Sequence, residues 1–419
     1  MAKDGEKDRN KEKDALRRRR FWNAVLPVVD AWVKISLGFE REDFEPADID
    51  GPILVAVNHA CAYDPLLVGA AFRNKPLTFI ATEHLLRSKW GPFLNKYCSL
   101  IPHMKGARSS RTALVAMKRI KKGESIFLAV EGEQSWDGRP SPVMPYTGKL
   151  VKGSGATLVT YLLEGAYLTA PRWALHRRKG KVYGRPAGVY SPDVLKGMSD
   201  DEVEKLIAKD LAFDIWEWQK TRPEGPAIYK CRKGGLADGL ERLVLTCPSC
   251  GRFGTLSSQG DSIGCDCGFK VRMKDTGFFE DGSPFETVAD WGDHDRKKLE
   301  ARLSELKAKA AAGEDCVFAD DCVVLHRIKD GHSDEEAARG RLTLRFADGH
   351  FILRIGDYSF SLEKISNMTM VLANRIVFSD KSGYYELLSN KKSRTNLIKY
   401  VVARDIIINS DHNSDKSGR

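Results

Sequence analysis

The sequence predicts an α/β protein. A three-layer α/β domain fills its first half, followed by a small zinc ribbon and a β-rich C-terminal domain. Three observations predict this order. Residues 51–220 alternate short apolar runs with runs of helical period, bounded by Gly, Pro and Asp. Four cysteines stand as two close pairs, Cys247 with Cys250 and Cys265 with Cys267. From Cys316 onward the pattern changes to short alternating strands with Gly and Asp between them. The divisions read from the chain are a disordered charged tail at 1–16, an α/β domain with an N-terminal amphipathic helix at 17–225, the ribbon at 240–275, a connector helix at 290–312 and the β-rich domain at 316–409.

The first residues are charge-rich and lack an apolar period, which predicts disorder over 1–16. The basic run Arg17–Arg20 then abuts FWNAVLPVVDAWVKISLGF. Phe21, Val25, Val28, Trp32 and Ile35 fall on one helical face, with Trp22, Val29 and Val33 beside them. Asn23, Pro27, Asp30 and Lys34 forbid a membrane span here, and no stretch reaches the ~20 apolar residues that a span needs. A basic cluster before a Trp-rich amphipathic helix fits an interfacial membrane helix. The same helix also suits a cover for the sheet of its own domain.

The α/β region reads in order as follows. ILVAV from Ile53 is a strand ending at Asn58-His59; Asp64-Pro65 then opens the apolar run LLVGAAF as a helix. LTFIAT after Pro76 is a strand. Residues 83–97 are helical with an interruption at Gly91-Pro92, and LIP after Ser99 is a short strand. Ser110 caps a helix that closes at Gly123. IFLAV after Ser125 is a strand that delivers Glu131-Gly132, and residues 156–163 are another.

Composition narrows the function classes. The 419 residues carry 42% hydrophobic content, enough for two or three cored domains. A net charge of +10 suits an anionic partner, such as a phospholipid surface, a phosphate-bearing substrate or nucleic acid. No secretory signal stands at the polar N-terminus, so clustered cysteines in a reducing, cytoplasmic setting are expected to hold metal. Cys247, Cys250, Cys265 and Cys267 supply four thiolates, a closed tetrahedral set that suits structural zinc. GTLSSQGDSIG between the pairs suits a hairpin turning at Gly-Asp. The ribbon has few clustered basic or aromatic residues, so a nucleic-acid partner is not expected.

His59 and Asp64 carry the chemistry. A histidine at the carboxyl end of a strand, with an aspartate at the mouth of the next helix, lies where open α/β sheets bind ligands. Neutral imidazole can take a proton from a hydroxyl, and a carboxylate on its other nitrogen fixes the tautomer. The pair also suits a plain helix cap beside a turn histidine.

Asn58-His59-x-x-x-x-Asp64 after an apolar strand resembles the first signature of the glycerolipid acyltransferases, the 1-acylglycerol-3-phosphate acyltransferase family. About seventy residues on, Ala129-Val130-Glu131-Gly132-Glu133-Gln134-Ser135 stands where that family has Phe-Pro-Glu-Gly-Thr-Arg-Ser. Lys149-x-x-Lys152-Gly153-Ser154-Gly155 resembles the segment that follows, and the run 164–173 falls loosely at a further block. The resemblance covers residues 20–220 and is nearest to a bacterial lysophospholipid acyltransferase-like subgroup. It implies an acyl thioester co-substrate, on coenzyme A or acyl-carrier protein, and a lysophospholipid-like acceptor. It implies that His59 is the base and Asp64 its orienter. It implies substrate contacts at Asn58, Glu131, Gly132, Gln134 and Ser135, and phosphate-binding cations at Lys105, Arg108 and Arg111. Glu133 and Gln134 replace the family's Thr and Arg, which makes a dianionic acceptor less comfortable. The expected location is peripheral, on the inner face of the cell membrane. A lipid-binding protein that keeps the fold without turnover is the alternative reading. The seven short runs and closing helix of the C-terminal part look pleckstrin-homology-like.

Overall fold

The computed structural model describes residues 2–98, 100–103, 110–308, 315–329, 333–390 and 394–417. They form two compact units. The first comprises Met1–His103, Arg108–Pro171 and Arg177–Arg232, and the second Met104–Ala107, Arg172–His176 and Lys233–Arg419.

The first unit opens with helix α1 (Ala2–Leu37) and strand β1 (Phe39–Arg41). β2 (Ile53–Val57), α2 (Asp64–Ala71), β3 (Leu77–Thr82), α3 (Glu83–Arg87), α4 (Gly91–Cys98) and β4 (Ile101–His103) follow. Then come α5 (Ser110–Ile120), β5 (Ser125–Ala129), α6 (Thr147–Ser154), β6 (Thr157–Glu164), α7 (Ala166–Thr169) and β7 (Arg178–Lys179). The unit ends with β8 (Val182–Tyr190), α8 (Pro192–Lys196), α9 (Asp200–Asp210), α10 (Ile215–Thr221) and β9 (Lys230–Cys231).

The sheet order is β1-β8-β6-β2-β5-β3-β4. β2 is central, with β5 and β6 parallel to it on either side. β3 and β4 extend the parallel set, while β8 runs antiparallel to β6. All five residues of β2 are fully buried, as its uninterrupted apolar run requires of a strand covered on both faces. Residue alternation sorts the layers. Leu54, Ala56, Ile126, Leu128, Leu158 and Leu162 face a core with Ala116 and Ile120 of α5, Val151 of α6, and Val203 and Ile207 of α9. On the other face, Phe79 meets Trp22 of α1, and Phe72, just past α2, meets Tyr161 of β6. The three layers expected from the alternating pattern are therefore present. β8 and the helices after it were not foreseen, because VYGRPAGVY carries Gly and Pro at positions that a strand normally gives to apolar residues.

Helix α1 corrects two expectations. It runs from Ala2, so residues expected to be disordered continue the helix; they are mostly Lys, Glu, Arg and Asp, and the first three are good helix formers. The face it buries is Leu26, Asp30, Val33 and Leu37, not the stripe of Phe21, Val28 and Ile35. Burial of Asp30 is made possible by Arg41 Nη1 at 2.7 Å and Lys34 Nζ at 2.8 Å, which hold its carboxyl below the usual range against the opposing effect of burial. Val28 and Ile35 remain 68% and 64% exposed. Among the described residues, no helix is long and apolar enough to cross a membrane.

The second unit contains β10 (Leu256–Gln259), β11 (Ser262–Cys265), β12 (Lys270–Arg272) and helix α11 (Val288–Ala308). β10 and β11 form the expected hairpin around Gly260-Asp261, and β12 adds a third strand that the short Lys270–Arg272 run did not announce. Helix α11 is not a free connector. Its Trp291 is fully buried against Phe269, Phe279 and Phe285, and its indole N–H donates to Thr246 C=O at 2.9 Å. Asp295, one turn on, accepts the N–H groups of Leu245 and Thr246 at 2.6 and 3.0 Å.

Strands β13 (Asp315–Lys329), β14 (Ser333–Ala347), β15 (His350–Ile355), β16 (Tyr358–Ser361), β17 (Asn367–Met370), β18 (Arg375–Asp380) and β19 (Gly383–Ser389) follow, then helix α12 (Ile398–Ser417). Their order is β16-β15-β14-β13-β19-β18-β17, antiparallel throughout. A four-strand meander and a three-strand meander thus join through the first and last strands. Each of the seven short runs read from the sequence maps onto one of these strands, with Leu362, Val371 and Leu372 lying just past the ends of β16 and β17.

Candidate active site

Strand β2 ends at Val57, and the next residue begins the turn that makes the site. Asn58 is buried and exchanges two hydrogen bonds with the backbone of Leu163 on β6: its amide donates to Leu163 C=O at 3.1 Å and accepts Leu163 N–H at 2.8 Å. The side chain of Asn58 thus ties the chain's exit from β2 to the neighbouring strand.

His59 is next, half-buried, with Nδ1 at 2.8 Å from Asp64 Oδ2. Asp64 has no exposed surface. The cap reading for it does not hold: Tyr63 is the N-cap of α2 without a side-chain bond, and Asp64 is already helical. Its carboxylate turns back to accept Cys61 N–H at 3.0 and 3.1 Å, so that one oxygen pair serves both the turn and the imidazole. A carboxylate can only accept from the ring, so Nδ1 carries the proton and Nε2 keeps its lone pair. That is the tautomer of a general base.

The second signature arrives on the adjacent strand. β5 lies beside β2 in parallel register, so both chains leave the sheet at the same edge. Glu131 Oε1 accepts His59 N–H and its Oε2 accepts Ser141 N–H, each at 3.4 Å. Burial pushes its carboxyl up to about 7, with Asp64 adding to the rise and the two amides opposing it. Ser135 N–H donates to His59 C=O at 2.9 Å, a direct bond between the two signatures. Gly132 has φ +69°, the left-handed region that favours glycine, and a Cβ there would press on the Met144 side chain.

The remaining expected residues divide as follows. Ser135 Oγ donates to Arg139 C=O and accepts Gly138 N–H, which makes it a turn-former. Gln134 donates to Ala170 C=O at 3.4 Å. Arg111 is exposed in the first turn of α5. Lys105 and Arg108 lie outside the described residues. Lys149-x-x-Lys152-Gly153-Ser154-Gly155 becomes α6 and its C-cap, with Lys152 Nζ 3.2 Å from Asp200 and Gly155 at φ +69°. Ser141, the second support of Glu131, was not found from sequence because it contributes only a backbone N–H.

In the second unit, the four Sγ atoms of Cys247, Cys250, Cys265 and Cys267 lie within 4.8 Å of one another. Cys247–Cys267 and Cys250–Cys265 separations are 3.6 and 3.8 Å. A tetrahedral ion with metal–sulfur bonds of ~2.3 Å needs sulfurs about 3.8 Å apart, so the set fits a metal ion. Each pair is followed by a glycine of positive φ, Gly251 and Gly268, whose N–H returns to the first cysteine's C=O at 2.8 and 3.0 Å. The tight C-x-C pair thus delivers both its sulfurs. Cys231 stands apart on β9 in the first unit.

Glu131 gives a pH test. Its folded-state value, about 7, exceeds the ordinary 4.5. Ionisation therefore costs nothing below pH ~4.5, and the full cost of roughly 3 kcal/mol is reached above pH ~7. Glu131→Gln is expected to lack this loss. Denaturant titrations of both proteins from pH 4.5 to 8 should show curves that diverge in favour of the variant as pH rises; parallel curves would remove the assigned shift.

Residues 39–163 match the protein-family model described as Acyltransferase. No curated protein matches the chain. Among solved structures, the 1-acyl-sn-glycerophosphate (LPA) acyltransferase PlsC from Thermotoga maritima matches with a TM-score of 0.42 and 21% identity, over 49% of this chain and 83% of that one. The matched segment holds β1 to β5 and nearly all of β6, together with His59, Asp64 and Glu131, so the first unit carries an acyltransferase-family domain, as the resemblance of its two signatures implied.

Proposed function

We propose that the protein is an O-acyltransferase that moves a fatty acyl group from a thioester, on coenzyme A or acyl-carrier protein, to the hydroxyl of a lysophospholipid-like acceptor. The observation that carries this is the 2.8 Å contact from Asp64, with no exposed surface, to Nδ1 of half-buried His59. His59 Nε2 takes the acceptor hydroxyl proton as the oxygen attacks the thioester carbonyl. The tetrahedral adduct collapses, the C–S bond breaks, and the imidazolium returns the proton to the leaving thiolate. No acyl-enzyme forms. A positioned base contributes ~10²–10⁴ in rate, and holding both substrates at one edge contributes further.

The proposed setting is a membrane surface. Phe21 of α1 packs on Phe93 and Tyr97 of α4, with centroids 5.6 and 4.9 Å apart. Val28 and Ile35 continue the Phe21 stripe along α1, while Trp90 and Phe93 are 58% and 44% exposed. Lys89 and Lys96 lie against Trp90 and Tyr97. Exposed apolar and aromatic residues flanked by lysines suit an anionic bilayer interface. For the cysteine cluster we propose structural zinc, since four thiolates leave no open position. The strand order and closing helix of the second unit support its pleckstrin-homology-like reading.

Three outcomes are expected. His59→Ala abolishes acceptor-dependent thiol release from palmitoyl-coenzyme A across a lysophospholipid panel, and Asp64→Asn lowers it ~10²–10⁴-fold; unchanged turnover in the His59 variant would sink the mechanism. Absence of turnover in the wild type with both donor carriers, alongside retained lipid binding, would favour the lipid-binding alternative. Val28→Glu with Trp90→Glu weakens co-sedimentation with vesicles containing anionic phospholipid, and equal sedimentation would count against the interface. Metal analysis finds about one zinc per chain and little in Cys250→Ser; equal content in both would remove the site.

A further inference from the structure

We infer that Arg177 binds a phosphate group of a substrate beside the catalytic turn, held in place by Trp32. Three side chains from separate parts of the first unit stack there. The Arg177 guanidinium lies 5.1 Å from the centre of the Trp32 ring. Trp32 and Tyr63 have ring centroids 5.5 Å apart. Tyr63 immediately precedes Asp64 and is the N-cap of α2. Its C=O accepts the N–H groups of Leu66 and Leu67 at 2.9 and 3.0 Å. The stack is therefore fixed to the same turn that carries His59. At its other end, Arg177 leads into β7, where Arg178 is buried and Lys179 pairs with Lys230 of β9.

Arg177 differs from the arginines that stand on carboxylates. Arg41, Arg139 and Arg185 sit on Asp30, Asp137 and Glu164 at 2.7–2.8 Å. Among the described residues, no carboxylate forms an ion pair with Arg177, and its side chain is exposed. Stacking uses the flat face of a guanidinium and leaves all five N–H donors in the plane. A guanidinium held over a ring, with no carboxylate on its donors among the described residues, can offer two of them to a phosphate. The phosphate belongs to the acceptor head group or to the nucleotide of a coenzyme A donor. This assignment takes its substrates from the transferase reading, while its geometry is independent of that reading.

The test compares wild type, Arg177→Ala and Arg177→Lys as full chains. One arm measures KM for lysophosphatidate against phosphate-free monoacylglycerol; the other measures KM for palmitoyl-coenzyme A against palmitoyl-pantetheine. In one arm Arg177→Ala should raise KM for the phosphate-bearing member roughly 10- to 100-fold, as expected for lost charge-assisted bonds, and leave its phosphate-free partner unchanged. The arm affected identifies the source of the phosphate. Arg177→Lys should fall between, since it keeps charge without the fork. Calorimetric binding of sn-glycerol 3-phosphate and of coenzyme A needs no turnover. Weakened binding of either in Arg177→Ala supports the site even where transfer itself is absent. Unchanged KM values in both arms, or equal affinities for both probes where there is no transfer, would overturn it, as would a variant that only loses thermal stability.

Discussion

The buried carboxylate of Asp64 is the contact on which the site depends. It has no exposed surface, and it meets both the Cys61 N–H and the imidazole of His59. A carboxylate buried in this way must be satisfied, because desolvation costs several kcal/mol if it is left unpaired. The turn from β2 to α2 supplies that satisfaction locally, within six residues of chain, from His59 to Asp64. Removing the imidazole would take the 2.8 Å partner from Asp64 Oδ2 and leave it sharing the Cys61 N–H, and removing the carboxylate would leave the ring free to change tautomer. The fold thus holds the base in one protonation pattern before any substrate arrives, which is the preorganisation that positional catalysis requires.

Strand order then decides what else reaches this turn. β5 and β6 flank β2, so the chain following β5 brings Glu131 and Ser135 to His59, and the end of β6 receives the Asn58 amide. Both signatures are therefore one structural object, closed by backbone bonds between them. This explains why two short motifs about seventy residues apart were informative together: parallel neighbours in a sheet leave at the same edge, whatever the length of the crossover.

What was legible in the sequence followed periodicity and side-chain chemistry. The five-residue run of β2, the four thiols and the seven C-terminal strands each carry a pattern that has few alternative uses. What was not legible depended on tertiary choice. The apolar stripe of Phe21, Val28 and Ile35 suits an interfacial face as well as a cover for the sheet, and the face actually buried contains Asp30, because Arg41 arrives from β1 to neutralise it. Nothing local announces that pairing. Helix α11 read as a connector because Trp291 and Asp295 stand among charges; their partners Phe269 and Thr246 come from the ribbon segment and Phe279 from just past it. The resemblance implied a substrate contact at Asn58, and nothing local announces that its amide exchanges two hydrogen bonds with the backbone of Leu163.

The two carboxyl groups of the site also separate by environment. Asp64 faces an imidazole at 2.8 Å, whereas Glu131 accepts, among the described residues, two amide N–H groups, each at 3.4 Å. Bonds of that length are weak, so burial dominates and lifts Glu131 to about 7. Near neutral pH, then, Glu131 exchanges a proton. A protonated Glu131 lowers the negative charge that an incoming phosphate meets; an ionised one raises it. The uncharged Gln134 does nothing to offset that charge. A cation brought from elsewhere in the unit, on a rigid aromatic support, is the arrangement that lets an anionic substrate approach this edge. Arg177 lies over Trp32, and Trp32 in turn meets Tyr63, the residue before Asp64 on the catalytic turn.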